Sequence, residues 1–134
     1  LNGVADKVHS LKGDAFAAMK QLHEDGERFD MVIIDPPAFI ARRKDIKAGE
    51  LAYQRANQLA MRLLTPEGIL VSASCSMHLE RTRLTQLLQE ACRKNGRNGQ
   101  VLEQGGQGGD HPIHPAIPET DYLKSVILRT WYED

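Results

Sequence analysis

Two short polar clusters hold the side chains of this 134-residue chain that are best suited to chemistry. Asp35-Pro36-Pro37-Ala38-Phe39 closes the apolar run Met31-Val32-Ile33-Ile34, and Ser74-Cys75-Ser76 closes a second run, Gly68-Ile69-Leu70-Val71. A thiolate is a nucleophile, and a carboxylate can hydrogen-bond or pass a proton. Each cluster reads as the carboxyl end of a buried strand, and in open α/β sheets the crevice beyond those ends is where ligands and chemistry sit. The spacing therefore predicts that Asp35 and Cys75 leave adjacent parallel strands at the same edge of one sheet, joined by a right-handed crossover through the helix between them.

The residues around them sharpen that expectation. Two consecutive prolines fix a rigid extended bend, which aims Asp35 and the neighbouring carbonyls into the crevice. Phe39 is placed to stack on a base. The two cysteines form an internal control. Cys92 falls in a helical stripe with Leu84, Leu88 and Ala91 and reads as a packed small hydrophobe. Cys75 sits between Ser74 and Ser76, where hydroxyls, backbone amides and the N-terminus of a following helix can support a thiolate, so it is expected to be the more reactive thiol. Asp14, after Gly13, is equally well explained as a helix N-cap and as the acidic position that faces an adenine amino group in nucleotide-binding sheets. Arg42, Arg43, Lys44 and Lys47 lie in a loop where they can meet phosphates, against the default of a solvated loop. His111 and His114 have a spacing that metal sites sometimes use, but prolines separate them and no further ligands are apparent, so no zinc is expected. His9, His23 and His78 read as surface or loop residues.

The elements needed to place these groups alternate regularly. Lys7 to Lys12 is a short candidate strand, and Asp14 caps a helix with Ala15, Ala18, Met19 and Leu22 on one face, up to Gly26. Phe29 to Ile34 is nearly all apolar and reads as a central strand covered on both faces. A helix from about Glu50 to Leu64 buries Ala52, Ala56, Leu59, Ala60 and Leu63. Thr65-Pro66-Glu67-Gly68 is a turn into the strand Ile69 to Ser74. A third helix ends at Asn95-Gly96, and a last strand runs from Tyr122 to Trp131. Alternating strands and helices predict an α/β sheet with helices on both faces.

Composition sets bounds. The chain is long enough for one domain with a real core, 41% of it apolar. A net charge of −1 excludes a polycation, so any nucleic-acid contact has to come from a local patch. Cys75 and Cys92 follow no disulfide or metal spacing, as expected of a cytoplasmic chain. No apolar stretch approaches a membrane span, and no secretory signal is expected.

Taken together, Gly13-Asp14-Ala15-Phe16, Asp35-Pro36-Pro37-Ala38-Phe39, Tyr53 with Asn57, Ser74-Cys75-Ser76, Asp110-His111-Pro112 and Pro118 through Lys124 resemble the bacterial large-subunit ribosomal RNA cytosine-C5 methyltransferases. The resemblance runs nearly end to end. It implies a three-layer class I, Rossmann-like methyltransferase sheet that uses S-adenosyl-L-methionine, preceded in that family by a PUA RNA-binding domain and a β-hairpin linker. Cys75 and Asp35 would be catalytic, Cys75 adding to C6 of the cytosine and Asp35 hydrogen-bonding or protonating N3. Asp14, Asp35 and Pro36 would contact the cofactor. Pro37, Phe39, Arg42 and Arg43 would contact the ribosomal RNA.

The family's glycine-rich loop and its ribose-binding acid should precede Leu1, and there is no initiator Met. The chain is thus expected to be the C-terminal part of such a domain, lacking its first two strands. Those strands would lie between the Val8 segment and the strand ending at Asp35, leaving an open apolar edge. Closure by the Val8 segment, an element swap or a homodimer through that edge are the expected responses. Two other readings stay open: a methyltransferase acting on a purine nitrogen, which needs no enzyme nucleophile, and a non-catalytic binding or assembly module.

Overall fold

The computed structural model describes residues 1–134. Three helices, α1 (Ala15–Glu24), α2 (Ile46–Arg62) and α3 (Arg81–Lys94), pack on a sheet of four strands, β1 (Phe29–Ile34), β2 (Leu64–Ser74), β3 (Arg97–Gly105) and β4 (Lys124–Tyr132). The spatial order is β1-β2-β4-β3, with β1 parallel to β2 and β4 antiparallel to both of its neighbours.

Side-chain alternation along the strands shows where the core lies. Leu70, Ser72 and Ser74 on β2 and Val126, Leu128 and Thr130 on β4 are buried, whereas the residues between them, such as Ile69, Val71 and Ile127, are only half-buried. The buried face meets α2 on the side of β1 and β2 and α3 on the side of β3 and β4, and α1 packs against α2 and adds Met19 to the core. Of the two helical layers that an α/β sheet of this type carries, these residues supply one. The other face is uncovered.

Two sequence expectations change for this reason. Phe29 to Ile34 is an edge strand rather than a central one: Val32 and Ile34 pack on the core, while Met31 and Ile33 on the opposite face are 50% and 65% exposed. An apolar run is compatible with two covered faces, but only neighbouring elements can cover them. The Lys7 to Lys12 strand does not form. A 3₁₀ turn at Ala5–Lys7 leads into an irregular stretch with Val8 and Leu11 exposed, and it takes no place beside β1. A strand needs a ladder partner, and the outer edge of β1 is left free.

The predicted turn at residues 65–68 is built as an irregularity inside a longer strand. β2 pairs with β1 at Phe29↔Leu64 and then at Met31↔Ile69, so the intervening β2 residues bow out of register. Gly68 is required here, because a Cβ would lie 2.8 Å from that of Leu64. The freed carbonyls are taken up by Arg97. Its guanidinium, 2% exposed, donates to the carbonyls of Leu64, Thr65 and Pro66 and to the hydroxyls of Thr130 and Tyr132, at 2.9–3.1 Å. β3, which Arg97 begins, was not foreseen as a strand. Apart from Arg97 its side chains are largely exposed, so it lacks an apolar pattern and is held by its antiparallel pairing with β4.

The Arg97→Met variant is expected to lose about 2–4 kcal/mol, because buried carbonyls are left without donors. Urea titration measures this, and an unchanged midpoint would show that the bow in β2 closes without Arg97.

Candidate active site

The strand register assembles the site. Ile34 of β1 pairs with Ser72 of β2 in a parallel ladder, so Asp35 and Cys75 emerge at the same edge from adjacent strands, as the spacing predicts. Beyond Asp35 the Pro36-Pro37 bend carries the chain back over the first turns of α2. The approach is close: a Cβ on Gly49 would fall 2.2 Å from Ile40 and 2.7 Å from the carbonyl of Phe39, so only glycine fits. α2 begins at Ile46, earlier than its apolar stripe indicates. Asp45 at its start is held by an ion pair with Arg42 at 3.0 Å.

The two clusters are tied together by one buried hydroxyl. Tyr53 of α2 is fully buried, and its phenol accepts from the Ser74 hydroxyl at 2.9 Å and the Phe39 amide at 3.4 Å. It shares a 2.7 Å bond with the hydroxyl of Ser76, which also accepts from the Ile40 amide at 3.3 Å. The Ser76 amide donates back to Ser74 Oγ at 3.1 Å. Both loops are thereby locked to α2 and to each other. Sequence reasoning assigned the two seryl hydroxyls to the thiol, but they point inward to Tyr53. Alternation explains this, since residues 74 and 76 share one side of the chain and residue 75 falls on the other. Cys75 is half-buried.

The helix after Cys75 also lies further away than expected. α3 starts at Arg81 with Glu80 at its cap position, separated from Cys75 by a turn in which the Leu79 amide bonds the Ser76 carbonyl at 3.1 Å. Lys124, the first residue of β4, occupies the place the helix end was expected to take. Its ammonium donates to the carbonyls of Ser76 and Leu79 at 2.6 Å and 2.5 Å. Burial holds the Lys124 ammonium below its ordinary pKa and Arg81 adds to the effect, while Asp121 and Cys75 oppose it.

Beside the Asp35 bend lies a cleft of ≈450 Å³ between α1, β1 and α2. Asp14, Asp35, Pro36, Pro37 and Phe39 all line it, with Phe16 and Met19 forming an apolar wall. Asp14 caps α1, one oxygen accepting from the Ala17 amide at 2.8 Å, and also faces this cleft, so both readings of its position describe the same residue. Phe39 is held by its neighbours rather than free to reorient: its ring meets Tyr53 edge-on at 4.8 Å and Phe16 at 6.2 Å. Cys75, Arg42 and Arg43 do not line the cleft. Arg43 is exposed on a 3₁₀ turn. His111 pairs with Asp110 at 3.1 Å, and His114 Nδ1 accepts the Ala116 amide.

Tyr53, Asn57 and Lys124 enter the sequence reading only through the family resemblance. The available signal was a tyrosine within an apolar helical stripe, one turn before an asparagine that donates to its carbonyl at 2.8 Å.

Comparison with known proteins adds to this geometry. Over 130 residues, 96% of the chain, it is 35% identical to the Ribosomal RNA large subunit methyltransferase I of Aeromonas salmonicida. It is 37% identical over 123 residues to the protein of the same name in Tolumonas auensis. The chain spans about a third of the length of these relatives, 33% and 31% respectively. The fold superposes with a TM-score of 0.71 on SMU.776, a methyltransferase candidate crystallised with SAH. Sequence identity there is 18%, covering 87% of this chain and 30% of that one. No protein-family model matches. The fold it shares with that structure is Rossmann-like, a mixed four-stranded α/β sheet. No helix is long and apolar enough to cross a membrane.

Two outcomes follow from the site. Tyr53→Phe should cost about 1–3 kcal/mol by leaving buried hydroxyls and amides without a partner, and should accelerate hydrogen exchange at the Phe39, Ile40 and Ser76 amides together. Exchange that changes at only one of the two loops would show that they are held independently. Iodoacetamide should label Cys75 before Cys92 in the folded protein, since Cys92 is 5% exposed and burial pushes its thiol pKa up, keeping it protonated. Mass spectrometry reads the order, and faster labelling of Cys92 would reverse the assignment.

Proposed function

We propose that these residues are the later part of the catalytic domain of an S-adenosylmethionine-dependent methyltransferase that forms 5-methylcytosine in large-subunit ribosomal RNA. The observation that carries it is the convergence of Asp35 and Cys75 at one sheet edge beside a cleft containing Asp14, in a chain whose relatives bear an rRNA methyltransferase name. The apolar wall of Phe16 and Met19 and the carboxylate of Asp14 suit the adenine end of S-adenosylmethionine, a flat ring with an amino group to donate. When bound, that cofactor supplies an electrophilic methyl group.

In this mechanism the Cys75 thiolate forms a bond to C6 of the cytosine, and Asp35 hydrogen-bonds or protonates N3 to offset the charge that develops. C5 becomes nucleophilic and takes the methyl group. Loss of the C5 proton to a base then returns the electron pair and breaks the bond from sulfur to C6. The cytosine has to leave its stack to reach Cys75, and Pro37 and Phe39 lie where it would enter. Arg42 and Arg43 stand exposed on the following loop, Arg43 free to meet phosphates and Arg42 able to do so by exchanging its Asp45 partner. The uncovered sheet face and free β1 edge are the places where the remaining strands and helices of the domain would pack, an account that needs no homodimer. Two free cysteines suit a cytoplasmic setting.

A second reading, methylation of a purine nitrogen, is favoured by one observation: Cys75 does not line the cleft that holds Asp14 and Asp35. Cys75→Ala in the intact natural protein separates the two. Methyl transfer to ribosomal RNA should fall about a thousandfold or more if the thiol is the nucleophile, with binding of S-adenosylmethionine by calorimetry unchanged. Retention of most of the activity would establish the nitrogen reading.

A further inference from the structure

Lys124 is a buried cation without an ion-pair partner. It is 6% exposed, and no carboxylate lies within salt-bridge distance of its ammonium. Its position follows from the antiparallel register, which pairs Lys124 with Ser74, the last residue of β2 and the one before Cys75. Both of its bonds go to the turn after Cys75, at the carbonyls of Ser76 and Leu79. That turn already closes through its own backbone. Taking an ammonium out of water is costly even after relaxation, so two carbonyl bonds to a closed turn offset little of the burial of a positive charge. A negative charge arising nearby would change the balance.

Four ionisable groups lie around Lys124: Glu80, Arg81 and Asp121 line a pocket with it, and Cys75 comes one residue before Ser76, whose carbonyl its ammonium holds. Arg81, at the start of α3, is a like charge, occupied in part by a bond to the Ser125 carbonyl at 3.2 Å. Asp121, ahead of β4, is exposed. Glu80 is exposed as well, and Cys75, just after β2, is half-buried. Of the three that can carry negative charge, only Cys75 is partly shielded from water, where a neighbouring cation acts more strongly than at an exposed site.

We propose that Lys124 is a positioning residue for Cys75: its ammonium pins the turn that follows the thiol and sets the positive charge beside which that thiol reacts. The inference rests on the reading of Cys75 as the nucleophile. A lysine serves here because its long stem reaches across from β4 while its compact head satisfies two carbonyls at once.

The test uses two alkylating reagents of similar size, neutral iodoacetamide and anionic iodoacetate, on the intact natural protein. With either, the Cys75 sulfur displaces iodide and forms a bond to carbon, so the ratio of the two rates reports the local charge and cancels accessibility. Lys124→Gln keeps two N–H donors and drops the charge, and it should lower the iodoacetate-to-iodoacetamide ratio at Cys75 threefold or more. Lys124→Arg should keep the ratio within twofold. A ratio unchanged in a folded Gln variant would overturn the proposal. If that variant does not fold, the natural protein decides: the iodoacetate-to-iodoacetamide ratio at Cys75 should be threefold or more above that of the same thiol in the urea-unfolded chain, and equal ratios would equally overturn it. Failure of the nucleophile reading shows separately, as methylation that survives Cys75→Ala while the alkylation ratio still responds to Lys124.

Discussion

The arrangement of this molecule depends on one requirement, that the hydroxyl of Tyr53 be satisfied where no water reaches it. A buried polar group without a partner costs on the order of 1–3 kcal/mol, and in a low-dielectric interior a fully bonded network is correspondingly specific. Tyr53 meets the requirement with Ser74, Ser76 and the Phe39 amide, and those are the residues that flank Cys75 and follow Asp35. The two loops with the chemically capable side chains are therefore held relative to each other by their unreactive neighbours. Gly49 allows the approach by leaving room for the Phe39–Ile40 backbone against α2.

β2 is the element through which this order reaches the rest of the sheet, and each of its ends is held by a buried cation. Arg97 secures the start by filling the carbonyls of the bow at residues 64–66, and Lys124 secures the turn beyond the end. Both satisfy backbone carbonyls in place of carboxylates. Their surroundings differ in one respect: Arg97 has an aromatic face over it, Tyr132 at 4.1 Å, whereas Lys124 holds the carbonyl of the residue after Cys75. The first arrangement serves the sheet alone, and the second holds the turn that follows Cys75.

Packing on a single face accounts for the exposure of Met31 and Ile33 on β1. The helices cover one side of β1 and β2, and the cleft with Asp14 and Asp35 opens along the strand that has no outer neighbour. Its walls come from α1, β1 and α2, three elements separated along the chain and brought together by contact between the two helices.

The amino-acid sequence by itself determined whatever depends on local pattern: the three helices from their apolar stripes, the strands β1, β2 and β4 from their runs, the Asp14 cap, and the placement of Asp35 and Cys75 at strand ends. Burial of Cys92 followed from its stripe for the same reason. Tertiary structure alone decided the features that depend on a partner distant in sequence. β1 became an edge because nothing lies beyond it, the Val8 segment stayed irregular because a strand needs a neighbour, and β3 formed through pairing where its residues carry no apolar signal. The direction of the seryl hydroxyls, the locking of Phe39 and the burial of Lys124 belong to the same group. A hydrogen bond or a covered face is a property of two segments at once, and a pattern read along one segment carries no record of the other.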